Sequence, residues 1–246
     1  MTPRSLFAAS AFCLLLATPA AVRADDAAEI AAIRKKAGEI ANFRASMAMT
    51  MSMMGQRQEM TGTVQKQGQK LRMETDMPAM GMKQIVVSDG KVVHTHIPMM
   101  NMVQTMDVER IRKAGADDMA AAMTQEQNDP FGATKTEDLT LVGREKLDDA
   151  DVVVVEGPIP QAPGVAPGML PAKVRAWFDA KDGMVRQSVF FAQDGSEMIT
   201  QKVTDYEINP TFEEGTFEFQ VPADAQVVDM TDSIIKMAET LRQGQD

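Results

Sequence analysis

Cysteine is nearly missing from this chain. The single example, Cys13, lies in an apolar run close to the start. No disulfide framework can therefore hold the fold, which must rest on its core. Histidine is almost as scarce, with His94 and His96 two positions apart. That spacing removes any pairing of a histidine with a second, distant one. Aromatic residues make up 5% of the sequence, with one tryptophan and one tyrosine. G-x-S-x-G, a Gly-rich phosphate loop and H-E-x-x-H are all missing. The sequence gives no support for catalysis or for a bound cofactor.

The opening, "MTPRSLFAASAFCLLLATPAAVRADD", has Arg4 before an apolar run over about 6–16, and "VRA" at 22–24. It reads as a secretory signal peptide over 1–24, cleaved near Ala24, and is too short for a membrane span. Export to the periplasm is the expectation, and Cys13 would leave with the leader. Losing Arg4 and Arg23 would leave 23 basic against 35 acidic residues. Such acidity argues against nucleic acid and against an electrostatic grip on anionic lipid.

What the chain has in excess is methionine, 22 in all. Fourteen fall within 47–106. In "SMAMTMSMM" Met47, Met49, Met51 and Met53 occupy every second position, with small or polar residues between them. Alternation of that kind predicts a strand with one apolar face.

The period changes along the chain. Residues 26–42 carry Ile30, Ile33, Ala37 and Ile40 at helical spacing. A strand follows over 43–54. A hairpin over 59–77 turns near Gln67-Gly68, with Leu71, Met73, Thr75 and Met77 on one face and Arg72, Glu74 and Asp76 on the other. A second hairpin spans 83–97, where Asp89-Gly90 suits a tight primed turn. A strand near 99–106 precedes a helix over 107–127 that breaks around Gly115. Two strands then fill 138–158, a Pro/Gly loop fills 159–171, and a meander occupies 173–208 with turns at Asp182-Gly183 and Asp194-Gly195. "TFEFQVP" at 216–222 reads as a last strand, and 232–243 as a closing helix. The fold class expected is mainly β with α. It is a curved antiparallel sheet, an incomplete β-barrel of about ten strands, with helices over its concave face. Residues 25–246 are read as one domain.

Element order, together with "GQKLRMETDMP…KQIVVSDGKVVHTHIPMMNMVQ" at 68–104 and "TFEFQVPADAQVVD" at 216–229, resembles the periplasmic outer-membrane lipoprotein carriers, the LolA-like proteins. The departures are His94 and His96 where carriers place aromatics, Gln67-Gly68 where many have Arg-Pro, and a longer loop at 157–171. The resemblance implies a half-barrel whose apolar cavity takes acyl chains of lipoproteins or lipids. It also implies a monomeric carrier chaperone in protein transport and outer-membrane biogenesis. Its partners would be an inner-membrane donor and an outer-membrane acceptor. Relatives of this fold also act as envelope-stress sensors.

Three readings of the methionines stay open. They can fill core, since the thioether is flexible. They can line a deformable lipid cavity, at about 0.8 kcal/mol per buried methylene. That lining would comprise Met47, Met49, Met51, Met53, Leu71, Met73, Met77, Ile85, Val87, Met100, Met102, Met119, Met123 and Trp177, with a helix at 26–42 or 107–127 as lid. Or they can bind Cu(I), for which thioethers are suitably soft, through His94, His96, Met99, Met100 and Met102.

Overall fold

The computed structural model describes residues 24–53, 56–123, 129–132, 134–159 and 170–243. Its helices are α1 (Ala24–Glu39), α2 (Val108–Lys113), α3 (Asp117–Met123) and α4 (Thr231–Gln243). The first six strands are β1 (Asn42–Met53), β2 (Gln56–Gln67), β3 (Lys70–Met77), β4 (Met82–Ser88), β5 (Val92–Ile97) and β6 (Met102–Asp107). The remaining six are β7 (Thr140–Leu147), β8 (Ala150–Pro158), β9 (Lys173–Asp179), β10 (Val185–Phe191), β11 (Glu197–Ile208) and β12 (Gln226–Asp229). All twelve strands join one open, curved sheet in the order β12-β6-β5-β4-β3-β2-β1-β11-β10-β9-β8-β7. Every neighbouring pair is antiparallel except β12 with β6. The fold class expected from the sequence is the one found.

The sheet consists of two meanders joined by a seam. Strands β1–β6 form one, β7–β11 the other, and β1 pairs with β11 between them. The pairing steps at Ser46/Met47, where Ser46 faces Asp205 but Met47 faces Val203. The extra residue, Thr204, gives its hydroxyl to the Ser46 carbonyl. A bulge of this sort bends the strand and reverses the facing of everything beyond it. Tyr206 and Ile208 before it, and Val203 and Gln201 beyond it, consequently share the concave face.

Helices cover that face at its two ends. The apolar stripe of α1, Ile30, Ile33 and Ala37, is buried against Val153, Val155, Val174 and Phe178 of β8 and β9. The turn after β9 comes so close that a Cβ on Gly183 would stand 2.7 Å from the Ala37 backbone nitrogen. Its φ of +85° independently favours glycine. At the other end, α2, α3 and α4 bring Val108, Ile111, Ala120 and Ala238 onto Val86 and Val93.

The helix expected over 107–127 is two short helices in its described part. The Asp107 carboxylate caps α2 by accepting from Arg110 N at 2.9 Å. The chain turns at Gly115, where φ is +76°. The loose end of α2 is satisfied from outside, because Arg242 Nη2 donates to the Ala114 carbonyl at 3.0 Å.

Two local expectations are corrected. The β4–β5 connection holds only Gly90 at positive φ. Asp89 instead folds it by accepting from Lys91 N and Val92 N, both at 2.8 Å. Residues 216–222 form no strand. They belong to a strap that leaves β11, crosses the convex face and ends in β12. The alternating phenylalanines pack on the sheet rather than pairing within it. Phe217 is buried against Phe212, and Phe219 stacks on His94.

Candidate functional site

Between the two helical covers the concave face holds a half-open cavity of about 240 Å³. It lies on the seam. Phe43, Ala45 and Met47 of β1 and Val64 of β2 supply one side, and Phe190, Gln201 and Val203 of β10 and β11 the other. Met184 closes it next to the β9–β10 turn. Phe43, Ala45, Val64 and Met184 pack with Ile40 and Leu71 as one buried cluster beside it. Gly62 lies opposite Met47. A Cβ there would meet the Glu74 carbonyl oxygen at 2.5 Å, so β2 and β3 approach closely just where the sheet curves.

The polar part of the wall comes from Gln187, Ser188, Gln201 and Asp129. Ser188 and Gln201 are cross-strand partners in the cavity floor. Gln201 Nε2 donates to Met47 Sδ at 3.0 Å. Asp129 and Pro130 form part of the rim. Asp129 is fixed by Arg34 of α1, whose Nε donates to its carboxylate at 2.6 Å. The same guanidinium also donates to the carbonyls of Thr134 (2.9 Å) and Gly132 (3.0 Å). With side chains only 15% and 11% exposed, this pair is largely out of water. No lysine or arginine lines the cavity among the described residues.

The residues expected to line a pocket are partly brought together. Met47 lines the cavity itself. Met49 and Met51 continue the same face, half-buried, and Met49 stands opposite the buried Met60. The side chains of Met53 and Met123 lie outside the described ones. Leu71 is buried in the cluster beside the cavity. Met73, beneath α2, α3 and α4, and Met119, on α3 itself, pack into the cluster at that end. Met77 pairs with Met82 and Met102 with Ile97 farther along this face, all half-buried.

Three of the expected lining residues point the other way. Register pairs Ile85 with Glu74 and Val87 with Arg72 and His94, which puts both on the convex face. A continuous apolar run, "IVV", cannot state which member faces in; pairing decides it. Trp177 also faces outward, packing with Val152, Val154 and Val189 while its indole N–H donates to Glu145. Its neighbour Phe178 takes the inward position. Met100 is exposed in a 3-10 turn, as is Met99.

The histidines and the methionines near them do not converge. His94 and His96 lie on the convex face against Phe219, with ring centroids at 5.1 and 5.9 Å. Met102 is on the concave face. Burial pulls the His94 pKa below its ordinary value, and nearby Asp89 offsets this in part. His94 Nδ1 is buried without a hydrogen-bond partner among the described residues. A neutral imidazole fits that setting.

Phe43, Ala45, Val64, Asp129, Pro130, Met184, Val185, Gln187, Ser188, Phe190, Gln201 and Val203 complete the described lining and were not foreseen. Strand periodicity marks Phe43 and Ala45 as same-face partners of Met47. The β11 residues carry no such signal, because the bulge shifts their parity.

No protein-family model matches the chain, and no curated protein matches it. Among solved structures it is similar to an uncharacterized conserved protein from Thermus thermophilus, at TM-score 0.56 and 18% identity, over 82% of this chain and 98% of that one. It is also similar to the MucA/MucB complex of Pseudomonas aeruginosa, at TM-score 0.44 and 15% identity, covering 82% of this chain and 63% of that one. A LolA superfamily protein from Nitrosomonas europaea aligns at TM-score 0.37 and 13% identity, covering 77% and 97%. The Thermus likeness establishes a shared fold.

Proposed function

We propose that the protein is a periplasmic carrier for acyl chains of lipoproteins or lipids. The observation that carries this reading is the cavity at the seam, a mainly apolar space between two helical covers that no described side chain fills. Its volume of about 240 Å³ would hold roughly eight waters, at about 30 Å³ each. Replacing poorly bonded water by several methylenes is favourable by about 0.8 kcal/mol for each one buried.

Binding is non-covalent on this reading. Met47 and Met184 let the wall adjust, because an unbranched thioether repacks around chains of different shape. The leader-like sequence at 1–24 and the carrier-like segments at 68–104 and 216–229 support placing the protein between two membranes. There it would receive cargo from an inner-membrane donor and pass it to an outer-membrane acceptor. Residues 25–246 would act as one unit, since the cavity needs both meanders.

Native mass spectrometry of the protein purified from its own envelope tests the reading. A co-purifying lipid or acylated protein is the expected result. Protein that emerges empty, and that binds no acyl probe afterwards, overturns it.

A further inference from the structure

The cavity is not uniformly apolar, and its polar floor is underemployed. Ser188 is 5% exposed, yet its hydroxyl has no hydrogen-bond partner among the described residues. Beside it, Gln201 spends one amide N–H on Met47 Sδ at 3.0 Å, a weak acceptor. A thioether only accepts, which places the amide nitrogen, not its oxygen, at the sulfur. The second N–H and the carbonyl of Gln201 have no protein partner among the described residues. Neither group is sealed from solvent, so each can be met by water while the cavity is empty, and a ligand that takes the water's place must offer a polar atom of its own.

Plain hydrocarbon cannot repair the deficit. Filling the cavity with methylenes would strip water from Ser188 and Gln201 and leave both unsatisfied, which costs free energy for each group. An anionic head fares worse. The rim already holds the Asp129 carboxylate, and Arg34, which pairs with it, is committed to Asp129, Gly132 and Thr134. No lysine or arginine lines the cavity among the described residues, and Arg186, between the lining residues Val185 and Gln187, lies over the Tyr206 ring and faces Asp149 and Asp179.

Resting on the carrier reading above, we propose that the cavity recognises a neutral acyl carbonyl, that of an ester or an amide. The carbonyl oxygen accepts from Ser188 Oγ–H and from the free Gln201 N–H, while the attached chain lies against Phe43, Val64 and Phe190. An amide N–H can in addition donate to the Gln201 side-chain carbonyl. Ser188 and Gln201 are thus specificity-determining residues, and the apolar wall supplies affinity common to all chains.

The test is competition for a naphthylamine fluorescent probe by four ligands of equal chain length: monolauroylglycerol, N-lauroylglycinamide, laurate and dodecane. The ester and the amide are expected to compete about tenfold better than laurate or dodecane, the scale of one or two net hydrogen bonds. A stronger response to the amide than to the ester identifies the amide as the preferred source. In Ser188→Ala/Gln201→Leu that advantage should shrink to within about twofold while dodecane competes at least as well as before. Preserved dodecane binding certifies that the variant is folded. Equal competition by all four ligands in the wild type overturns the carbonyl site and leaves the carrier reading standing. Selectivity that survives in a folded double variant also overturns it. Failure of the wild type to bind the probe or any of the four ligands overturns both.

Discussion

Replacing Arg34 with leucine removes four donor contacts at once: Nε to Asp129, Nη1 to the Thr134 carbonyl and the Thr136 hydroxyl, and Nη2 to the Gly132 carbonyl. It also strands the Asp129 carboxylate, 11% exposed, without its cation. Breaking one partner out of a buried, hydrogen-bonded pair costs about 3–5 kcal/mol. Leucine keeps contact with Phe131, over whose ring the guanidinium stands at 6.0 Å, so the lower end applies. A loss of about 3 kcal/mol in a chain of this size lowers Tm by roughly 6–12 °C. Urea and thermal melts of Arg34→Leu, Asp129→Asn and the double variant would measure it. If the pair acts as described, the double variant recovers part of the loss, with a coupling of about 1–3 kcal/mol. Because Asp129 and Pro130 form the cavity rim, acyl-probe affinity should fall in Arg34→Leu as well. A loss below about 1 kcal/mol, the size of an exposed pair, would refute the assignment of this contact as the anchor of the rim. So would simple additivity in the cycle.

Further expectations follow from individual side chains. Met47→Glu puts a charge into the cavity and should abolish acyl-probe binding, whereas Met47→Leu should retain it; equal binding by both in a fluorescence titration would move the site elsewhere. Leu71→Ala deletes a side chain that is 1% exposed and should cost about 2–5 kcal/mol in urea melts; a cost under 1 kcal/mol would mean that the cluster beside the cavity is loosely packed. His94 has a folded pKa below its unfolded value near 6.5, so the unfolded chain binds the extra proton and stability falls as pH drops through and below that value. Melts at pH 7.5 and pH 5 should show a smaller loss for His94→Gln than for the wild type, and equal losses would exclude His94 as the cause. Glu74, held below the ordinary carboxylate range by Lys83 and Arg72, adds its own loss only at lower pH. Under mild peroxide, Met80, Met99 and Met100 should become sulfoxides before Met60 and Met184; peptide mapping that found the buried pair oxidised first would contradict their burial.

Much of the fold is legible in the sequence because alternation and turn chemistry are local. The stripe at Met47, Met49 and Met51, the inward set Leu71 and Met73, the helix face of Ile30, Ile33 and Ala37, and the break at Gly115 all follow from neighbours along the chain. The failures have non-local causes. Strands rich in valine, such as 85–87, are apolar on both sides because one face meets helices and the other meets the strap. The strap itself carries strand-like alternation at Phe217 and Phe219 but finds a surface instead of a partner strand. Trp177 and Phe178 are adjacent, and only pairing with β8 and β10 assigns one to each side. Half of the cavity comes from β10 and β11, whose parity the bulge at Thr204 sets. Ser188 and Gln201 were invisible because nothing in their local pattern separates a polar residue in a cavity floor from one in water.

Met47 and Gln201, in contact at the seam, stand 154 positions apart in the chain. During synthesis the first meander is complete long before β11 exists, so for most of that time there is no container. On the carrier reading proposed above, cargo cannot be taken up by a half-made protein; capacity arises all at once, when the last long strand closes on β1. The same geometry makes occupancy a fastening. A ligand that touches both banks of the seam, and binds only the closed form, adds RT ln(1 + [L]/Kd) to the work of separating them. Loading and mechanical integrity would then be one quantity, and an emptied carrier would be the version most easily pulled apart down its middle.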